Sequence, residues 1–394
     1  MNSVLNGIRV LDFGRYIAGP WCAALLGDLG ADVIRVDKIG GSEDRETMPV
    51  ADGADGAIFH QVNRNKRGLT LNTRTPEGKA VLHRLVETAD VVVANLPESA
   101  LEALGLDYAS LTAIRPDIIL TSVTAFGTDG PNSHKVGFDV MGQAMSGAMS
   151  MTGPADDPIR SYVSWVDFST ASLAAFGTLG AIIERGRTGK GQRVQGSLLA
   201  TAVTTTSPHL IEQAMTGANR SRSANRSQVC APADMFRTSD GEILVQVMGE
   251  PMFKRWVGLA GDPGMLDDPR FTDDETRATH GKTLSARMQG WCDGKSTEEA
   301  LALLEEARIP AAPVLSLQQT LDDPHIAANG MFQPVEVPGL AKHAPITATP
   351  VDLSKTPGTI TRRAPEVGEH TDEILGTLGY ETEEIATLRG NGAV

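Results

Sequence analysis

Short apolar runs alternate with helical patterns through the first part of the chain. A run at 8–13 ends in a glycine-containing turn, a helical pattern follows it, and a second apolar run occupies 32–36. This order is the building unit of a parallel sheet. It recurs with apolar runs at 69–71, 91–93 and 118–122 and with helical patterns at 77–88 and 107–114. The pattern predicts a doubly wound, Rossmann-like α/β domain over residues 1–215.

A second, smaller α/β domain is predicted over 224–314. It opens with a hairpin around the turn at 239–241 and continues with helical patterns near 251–259, 284–291 and 297–307. The tail, 315–394, shows no clear core of its own, so we expect it to pack back on the large domain. The segment 40–67 has no clear period, and a loop of that length inside a domain is usually functional.

Composition and charge narrow the function. The chain has 49 acidic and 35 basic residues, a net charge of −14, which argues against nucleic-acid binding and against an anionic membrane surface. Three cysteines without metal-ligand spacing fit a reducing cytoplasm. The longest charge-free apolar stretch, Phe168–Ile183, is shorter than the roughly 20 residues of a membrane-spanning helix. We therefore expect a soluble, cytoplasmic enzyme.

The first strand–helix turn, GRYIAGPW at 14–21, is similar to a phosphate-cradling loop. Gly14 and Gly19 flank a helix start, and Pro20 is expected at the first helical position. The spacing matches neither the dinucleotide fingerprint nor the P-loop, which argues against a nicotinamide dehydrogenase function. The eight histidines show no paired spacing, so no metal site is expected.

Two basic clusters stand out in this acidic chain. Residues 63–67 carry three cations, which with Arg35, Lys38 and Arg45 would form an anion site if the loop folds over the strand ends. A solvated surface is the simpler reading of such a run. The second cluster, Arg220 to Arg226, lies at the predicted domain boundary, where a flexible polar linker is favoured.

Asp167 precedes the apolar helical stretch 171–183. An aspartate before a helix is most simply an N-cap, worth about 1 kcal/mol. The same position would also hold an ionised carboxylate at the positive end of the helix, as a nucleophile requires. Residue pattern alone leaves both readings open.

The whole sequence resembles the family III CoA-transferases, the group that includes formyl-CoA:oxalate CoA-transferase, carnitine CoA-transferase and the α-methylacyl-CoA racemases. Apart from Asp167 itself, the matching stretches are GIRVLDF at 7–13, AGP at 18–20, LGADVIRV at 29–36, NKRGLTLN at 65–72, ADVVV at 89–93, GFDVMGQAMSG at 137–147, TGKGQRV at 188–194, IPAAPV at 309–314 and GEHT at 368–371. They occur in the family's order over nearly the full length.

The resemblance implies transfer of CoA from an acyl-CoA thioester to a carboxylic acid, with Asp167 as the covalent nucleophile. CoA is then a substrate, no cofactor is tightly bound, and the subunits form an interlocked homodimer. The CoA-binding residues implied by the family match are Lys38, Asn65, Lys66, Arg67, Asn95 and Leu96. The residues implied beside the reacting groups are Arg15, Ile17, Ala18, Phe138, Asp139 and Arg226.

Departures from the family pattern bear on the substrate. Arg15 and Ile17 stand where formyl-CoA transferase has His and Gln, and Arg220–Gln228, a lid or a linker, replaces its glycine-rich lid. These changes disfavour oxalate and formate, and an arginine near the reacting centre favours a C4 or C5 dicarboxylate. Racemisation is the nearest alternative, but Phe138 replaces a proton-shuttling His of the racemases. A non-catalytic CoA-binding subunit is the remaining alternative.

Overall fold

The computed structural model describes residues 3–394. Its central sheet consists of β1 (Arg9–Asp12), β2 (Asp32–Asp37), β3 (Lys66–Thr70), β4 (Val91–Ala94), β5 (Ile119–Thr124) and β6 (Arg193–Ser197). All neighbours are parallel and the order is β3-β2-β1-β4-β5-β6. The predicted α/β class with a parallel sheet is confirmed.

The remaining strands pair antiparallel in two small sheets. These strands are β7 (Ala233–Arg237), β8 (Glu242–Gln246), β9 (Ala311–Pro313), β10 (Phe332–Val335) and β11 (Ala344–Thr347). The α-helices are α1 (Ala18–Asp28), α2 (Ala57–Val62), α3 (Pro76–Thr88), α4 (Glu98–Leu104), α5 (Tyr108–Ile114), α6 (Asp139–Met145), α7 (Ala148–Met151), α8 (Trp165–Thr188), α9 (Leu198–Thr216), α10 (Glu250–Ala260), α11 (Asp274–Thr279), α12 (Gly281–Cys292), α13 (Thr297–Glu306), α14 (Leu317–Asp322), α15 (Pro324–Ala328), α16 (Thr371–Thr377) and α17 (Thr382–Gly390). Single 3₁₀ turns occupy Glu43–Glu46, Pro263–Leu266 and Pro269–Phe271.

Helices cover both faces of the central sheet because successive strand residues point to opposite sides. Leu11 and Val92 join a core with α3, α5 and α16. Val10 and Val93 join the core on the other face, with α1 and α8. The strands are therefore buried on both faces, which explains why they appear as continuous apolar runs.

The segment 40–67 is more ordered than its sequence indicated. It contains the 3₁₀ turn Glu43–Glu46 and helix α2, and β3 already begins at Lys66, although its apolar run starts at Leu69. The prediction of a loop up to residue 67 is wrong there. The basic residues at its end are therefore the first residues of an edge strand.

The chain forms two compact units. The first contains residues up to Ser146, Ser161–Thr206 and His325–Val394, and the second contains Gly147–Arg160 and Ser207–Pro324. The pattern-based boundaries, 215, 224 and 314, differ because α9 passes from one unit to the other and because 147–160 joins the second unit. Residues 315–324, assigned to the tail from the sequence, also fall in the second unit.

The second unit has its own core and small sheet. Strands β7 and β8 pair antiparallel around the turn at 239–241, so the predicted hairpin is confirmed. Strand β9 completes the sheet against β8. Phe236, Phe253 and Trp256 are among the side chains buried beneath it.

Within the first unit, the end of the chain covers the free edge of β3. The Gly68 carbonyl accepts from the His370 N–H at 2.9 Å, and the Gly68 N–H donates to His370 Nδ1 at 3.1 Å. The Asn65 N–H donates to the Arg362 carbonyl at 2.9 Å. The edge strand is thus capped by the chain's own tail rather than left open for pairing.

Helix α8 is longer than its apolar stretch indicated. At 24 residues it is long and apolar enough to cross a membrane by length and composition alone. It packs on α1 and against β5 and β6, as the core helix of a sheet does.

Candidate active site

A crevice of the first unit lies at the switch point of the sheet. Strands β2 and β4 flank β1 on opposite sides, and ligands of open α/β sheets bind beyond the carboxyl ends of strands at such a point. A cavity of about 230 Å³ opens there. It brings together seven of the residues singled out from the sequence: Arg15, Ile17, Ala18, Asn95, Leu96, Phe138 and Asp167.

Asn95 fixes the loop that follows β1. Its Oδ1 accepts from the Arg15 N–H at 2.7 Å, and its Nδ2 donates to the Arg15 carbonyl at 2.8 Å. Close packing explains the glycine at position 14, because an added Cβ would lie 2.6 Å from Pro20 Cδ. Helix α1 begins at Ala18, so Pro20 is its third residue rather than its first.

Tyr16 is a pocket residue that the sequence did not single out. It adopts φ of 61°, which is rare for an aromatic residue and marks strain that its surroundings must hold. Its N–H donates to Asp44 Oδ2 at 3.1 Å, and its ring meets Phe138 edge to face at 5.6 Å. It could have been found from the sequence because it lies between Arg15 and Ile17, which the resemblance places beside the reacting groups.

Arg15 turns part of its guanidinium onto the backbone. Nη1 donates to the carbonyls of Gly14 at 2.7 Å and Phe13 at 3.2 Å, and Nη2 donates to Val36 at 3.3 Å. Burial, followed by repulsion from Arg35, lowers the pKa of Arg15 from its usual value. The Nε–H and one Nη2 hydrogen remain for a ligand.

The N-terminus of α8 is capped by a residue from another helix. The structural N-cap, Ser164, makes no side-chain cap, and Asp139 Oδ2 accepts instead from the N–H groups of Val166 at 2.7 Å and Asp167 at 3.0 Å. Asp167 is thus the third residue of the helix, and reading it as the N-cap is wrong. Gln143 donates to the other oxygen of Asp139.

The Asp167 carboxylate faces the cavity, of which it is a lining residue. Among residues 3–394 no side chain pairs with it, whereas Asp139 lies beside its backbone. Burial raises the pKa of Asp167 to about 7, with a further contribution from the negative charge of Asp139. A desolvated, unpaired carboxylate is well placed to react with an electrophile.

The cations at 64–67 do not reach the cavity. Because β3 starts at Lys66, this residue lies in the strand, fully buried, and its Nζ donates to Asp12 at 2.6 Å. Arg64 pairs with Asp28 at 2.6 Å, and Arg67 pairs with Asp32 at 2.7 Å. The expected anion site over the strand ends is corrected to a network of internal ion pairs.

Other predicted residues also lie outside the cavity. The Asn65 amide donates to the Thr359 carbonyl at 2.7 Å, beside the returning tail. Lys38 is exposed at the carboxyl end of β2 and pairs with Glu43, a lining residue, at 3.0 Å. Lys135 also lines the cavity and was not singled out from the sequence, although it lies two residues before the 137–147 family stretch.

The basic stretch 220–228 lies in the second unit and is held by hydrogen bonds. Arg220 pairs with Glu212 and donates to the Gln228 carbonyl at 2.6 Å. Arg222 donates to the Ala155 carbonyl at 2.8 Å. Arg226 lies against Gly281. The stretch favoured as a flexible polar linker thus lies outside the helices and strands but makes specific hydrogen bonds within the second unit.

A parallel sheet with helices on both faces and an unpaired carboxylate in its switch-point crevice define an α/β enzyme that acts on a small ligand. No group of three His, Cys, Asp or Glu side chains within residues 3–394 is arranged to hold a metal ion. A model of CoA-transferase family III matches residues 5–371. The chain belongs to this family, which confirms the resemblance.

Relatives agree with this assignment over the full length. The chain is 32% identical to a succinate–glutarate CoA-transferase of Agrobacterium fabrum, over 95% of each chain. It is 34% identical to a succinyl-CoA:mesaconate CoA-transferase of Haloarcula marismortui, over 96% of this chain and 97% of the relative. A CAIB/BAIF family protein of Brucella suis is 32% identical, with a TM-score of 0.85 over 96% of this chain and 100% of that chain. The protein is an acyl-CoA:carboxylate CoA-transferase whose substrates include CoA thioesters.

Proposed function

We propose that this enzyme transfers CoA between dicarboxylic acids through a covalent intermediate on Asp167. The observation that carries the proposal is the position of this carboxylate, unpaired among residues 3–394, in the cavity at the switch point. The two relatives described above are named for succinate, glutarate and mesaconate, all dicarboxylates. The proposal extends that substrate class to this chain.

The chemistry needs only carboxylates and thioesters. An Asp167 oxygen attacks the thioester carbonyl carbon, the C–S bond breaks, and an aspartyl anhydride forms with release of CoA thiolate. The thiolate then attacks the Asp167 carbonyl carbon and expels the first acid as its carboxylate. An acceptor carboxylate then attacks the Asp167 carbonyl carbon of the aspartyl-CoA thioester and releases CoA thiolate. The thiolate attacks the acceptor carbonyl carbon of this second anhydride, which gives the new CoA thioester and frees the Asp167 carboxylate. The overall exchange of a thioester between two carboxylates is nearly isoenergetic, so positioning and exclusion of water supply the catalysis.

The start of α1 supports this chemistry. Ile17 and Ala18 line the cavity, and the first N–H groups of a helix lack intrahelical partners. In α1 these donors belong to the N-cap residue Ile17 and to Ala18 and Gly19, because Pro20 has no N–H. We assign them to the negative oxygen that develops on the attacked carbonyl.

CoA would lie along the carboxyl edge of the sheet. Lys38 follows β2 and is exposed, which suits contact with a phosphate group. Leu96, next to the loop-fixing Asn95, follows β4 and lines the cavity. Arg15, with its remaining N–H donors, would hold the distal carboxylate of the acid.

A homodimer is part of the proposal. Apolar side chains stand exposed along α8, where Leu173 is 51%, Phe176 75% and Ile183 66% accessible. A contiguous apolar helix face of this kind is typical of a surface that a second subunit covers. The three cysteines are buried and free, which supports a cytoplasmic location.

The nucleophile is tested by substitution and mass spectrometry. Asp167→Ala should abolish transfer from succinyl-CoA, because no other group supplies the covalent intermediate. Wild-type enzyme incubated with succinyl-CoA should carry a mass adduct on the peptide that contains Asp167, and the variant should carry none. Substantial transfer by the variant would end this assignment, as would an adduct on a different residue.

A further inference from the structure

Asp139 is held in a fixed position by contacts from two helices. It is 4% exposed, and both of its carboxylate oxygens accept hydrogen bonds. Oδ2 receives the N–H groups at the start of α8, and Oδ1 receives the Gln143 side chain. Gln143 is fixed in turn, because its Oε1 accepts from the Ser161 N–H at 2.8 Å.

The arrangement places a second carboxylate against the backbone of the proposed nucleophile. Asp139 Oδ2 and the Asp167 N–H are 3.0 Å apart, so a buried carboxylate stands next to the residue that lines the cavity. Neutral side chains can satisfy such N–H groups in other helices, yet Ser164 at the α8 N-cap makes no side-chain cap and the charged Asp139 accepts from them instead. A charged residue of the same sign is costly when the neighbouring carboxylate is also ionised.

The elements that pack against α8 supply no free positive charge that would offset this repulsion. On α1 the charged residue is Asp28, which pairs with Arg64, and on β6 the charged residue is Arg193, which pairs with Glu98. Strand β5 carries no charged residue.

Three further charged side chains line the cavity itself: Arg15, Glu43 and Lys135. Arg15 is bonded in part to backbone carbonyls, and Glu43 pairs with Lys38. Burial and Asp139 are the influences that raise the pKa of Asp167, and no cation offsets them.

We propose that Asp139 is a positioning residue whose negative charge raises the free energy of the free Asp167 carboxylate relative to the covalent states of the cycle. The role rests on the proposed covalent chemistry. When Asp167 becomes an anhydride or a thioester it is neutral, and its charge leaves with the CoA thiolate or the released acid. The repulsion from Asp139 is then absent, so the covalent states are stabilised relative to the free enzyme.

The test separates this charge from the capping function. Asp139→Asn keeps an oxygen for the α8 N–H groups and removes the charge. We expect the acidic midpoint of adduct formation with succinyl-CoA, measured by rapid quench across pH, to move down by about one unit or more. The fraction of enzyme held as the covalent adduct at pH 8 should fall about tenfold per unit of that shift.

Two controls accompany this variant. Asp139→Glu retains the charge and should keep a midpoint near that of the wild type. Asp129→Asn removes an exposed acidic residue and should leave the profile unchanged. If Asp139→Asn folds and shows the wild-type midpoint, Asp139 only caps α8 and the proposed role of its charge is overturned. Absence of any adduct on Asp167 in the wild type would instead refute the covalent proposal itself.

If Asp139→Asn does not fold, a measurement on the wild type tests the premise of the inference, which is that burial and Asp139 together disfavour the ionised form of Asp167. The pKa of Asp167 is about 7 in the folded protein and about 4 in the unfolded chain, so the folded state binds this proton more tightly. That contribution to stability is complete below about pH 4 and is lost as the pH rises through about 7. Relative to Asp167→Asn, the wild type should therefore lose thermal stability between these limits. Parallel melting curves over that range would overturn the proposal.

Discussion

Arg15 can serve as a substrate ligand only with the donors that the loop leaves free. Its Nη1 is bonded to the Gly14 and Phe13 carbonyls, so the loop orients the guanidinium before an acid arrives. Orientation of this kind reduces the entropy that is lost when a carboxylate binds. An arginine held in this way suits an acid that carries a second, unreactive carboxylate.

We expect wild-type enzyme to prefer succinate to butyrate as acceptor, because only succinate offers a distal carboxylate. Arg15→Met should lower the ratio of kcat/KM for succinate to that for butyrate by about tenfold or more. The ratio is the appropriate readout, since general damage to the loop lowers both terms. Equal use of both acids by the wild type, or an unchanged ratio in the variant, would remove the dicarboxylate proposal and leave the transferase assignment intact.

At the scale of residues, the sequence predicted the cavity-lining residues better than it predicted where the charged side chains lie. Asp167 was found because it matches the family's acid, and the loop at 15–18 was found because matching stretches at 7–13 and 18–20 place it in register with the family. Lys66 and Arg67 were misplaced, because their partners Asp12 and Asp32 are distant in sequence. A run of cations looks the same in a sequence whether it faces water or a buried carboxylate.

The turn between β1 and α1 is the element on which the cavity depends. Gly14 admits no side chain, because an added Cβ would stand 2.6 Å from Pro20 Cδ and 2.7 Å from Asp12 Oδ1. The carboxylate of Asp12 is itself fixed by Lys66. Any side chain at position 14 must therefore displace the start of α1.

We predict that Gly14→Ala lowers the free energy of unfolding by about 1–3 kcal/mol, as overpacking of a close contact does. The KM for acyl-CoA should rise as well, since residues 15–18 line the cavity. Gly258→Ala is the matched control, because this glycine lies in α10 with open space at its Cβ position. The control should be neutral or stabilising by up to about 1 kcal/mol. Equal denaturant midpoints for the two variants would contradict the prediction.

Element positions followed from the apolar pattern where strands are fully buried. Strands β1, β2, β4 and β5 were located to within a residue or two, because each contains consecutive buried aliphatic side chains. The start of β3 was missed because its first residues are charged. The cap of α8 was missed because Asp139 comes from another helix, a contact that no local pattern encodes.

The exposed face of α8 sets the expectation for the whole molecule. Leu173, Phe176 and Ile183 are each more than half accessible on a helix whose opposite side packs on α1. Covering such side chains in a second subunit removes apolar surface from water at about 25 cal/mol per Å². An obligate dimer therefore accounts for residues that a monomer would leave exposed.

Light scattering should show the wild type as a dimer at all concentrations at which it is active. Phe176→Glu should shift it towards monomer and lower activity in parallel, because a carboxylate would be buried at the interface. Val4→Glu places the same charge at an exposed apolar residue outside α8 and should leave the mass unchanged. A fully active wild-type monomer would rule out the dimer.

The division of the chain into units was only partly accessible from the sequence. The hydrophobic pattern indicated a second α/β region after residue 224. The segment 147–160 carries no signal that would assign it to the second unit. This segment is joined to the second unit by contacts between residues far apart in sequence, such as the Ala224 N–H donating to the Gly153 carbonyl. Local patterns do not encode those contacts.

The capping of β3 by the tail has a consequence for synthesis. Strand β3 is made early, yet its edge partners at 362 and 370 leave the ribosome after the whole second unit. During translation this edge therefore stays unpaired, and the first unit cannot close until about three hundred further residues have been added. Nascent chains stalled before residue 362 should accordingly expose a strand edge that favours chaperone binding or pairing with a neighbouring chain.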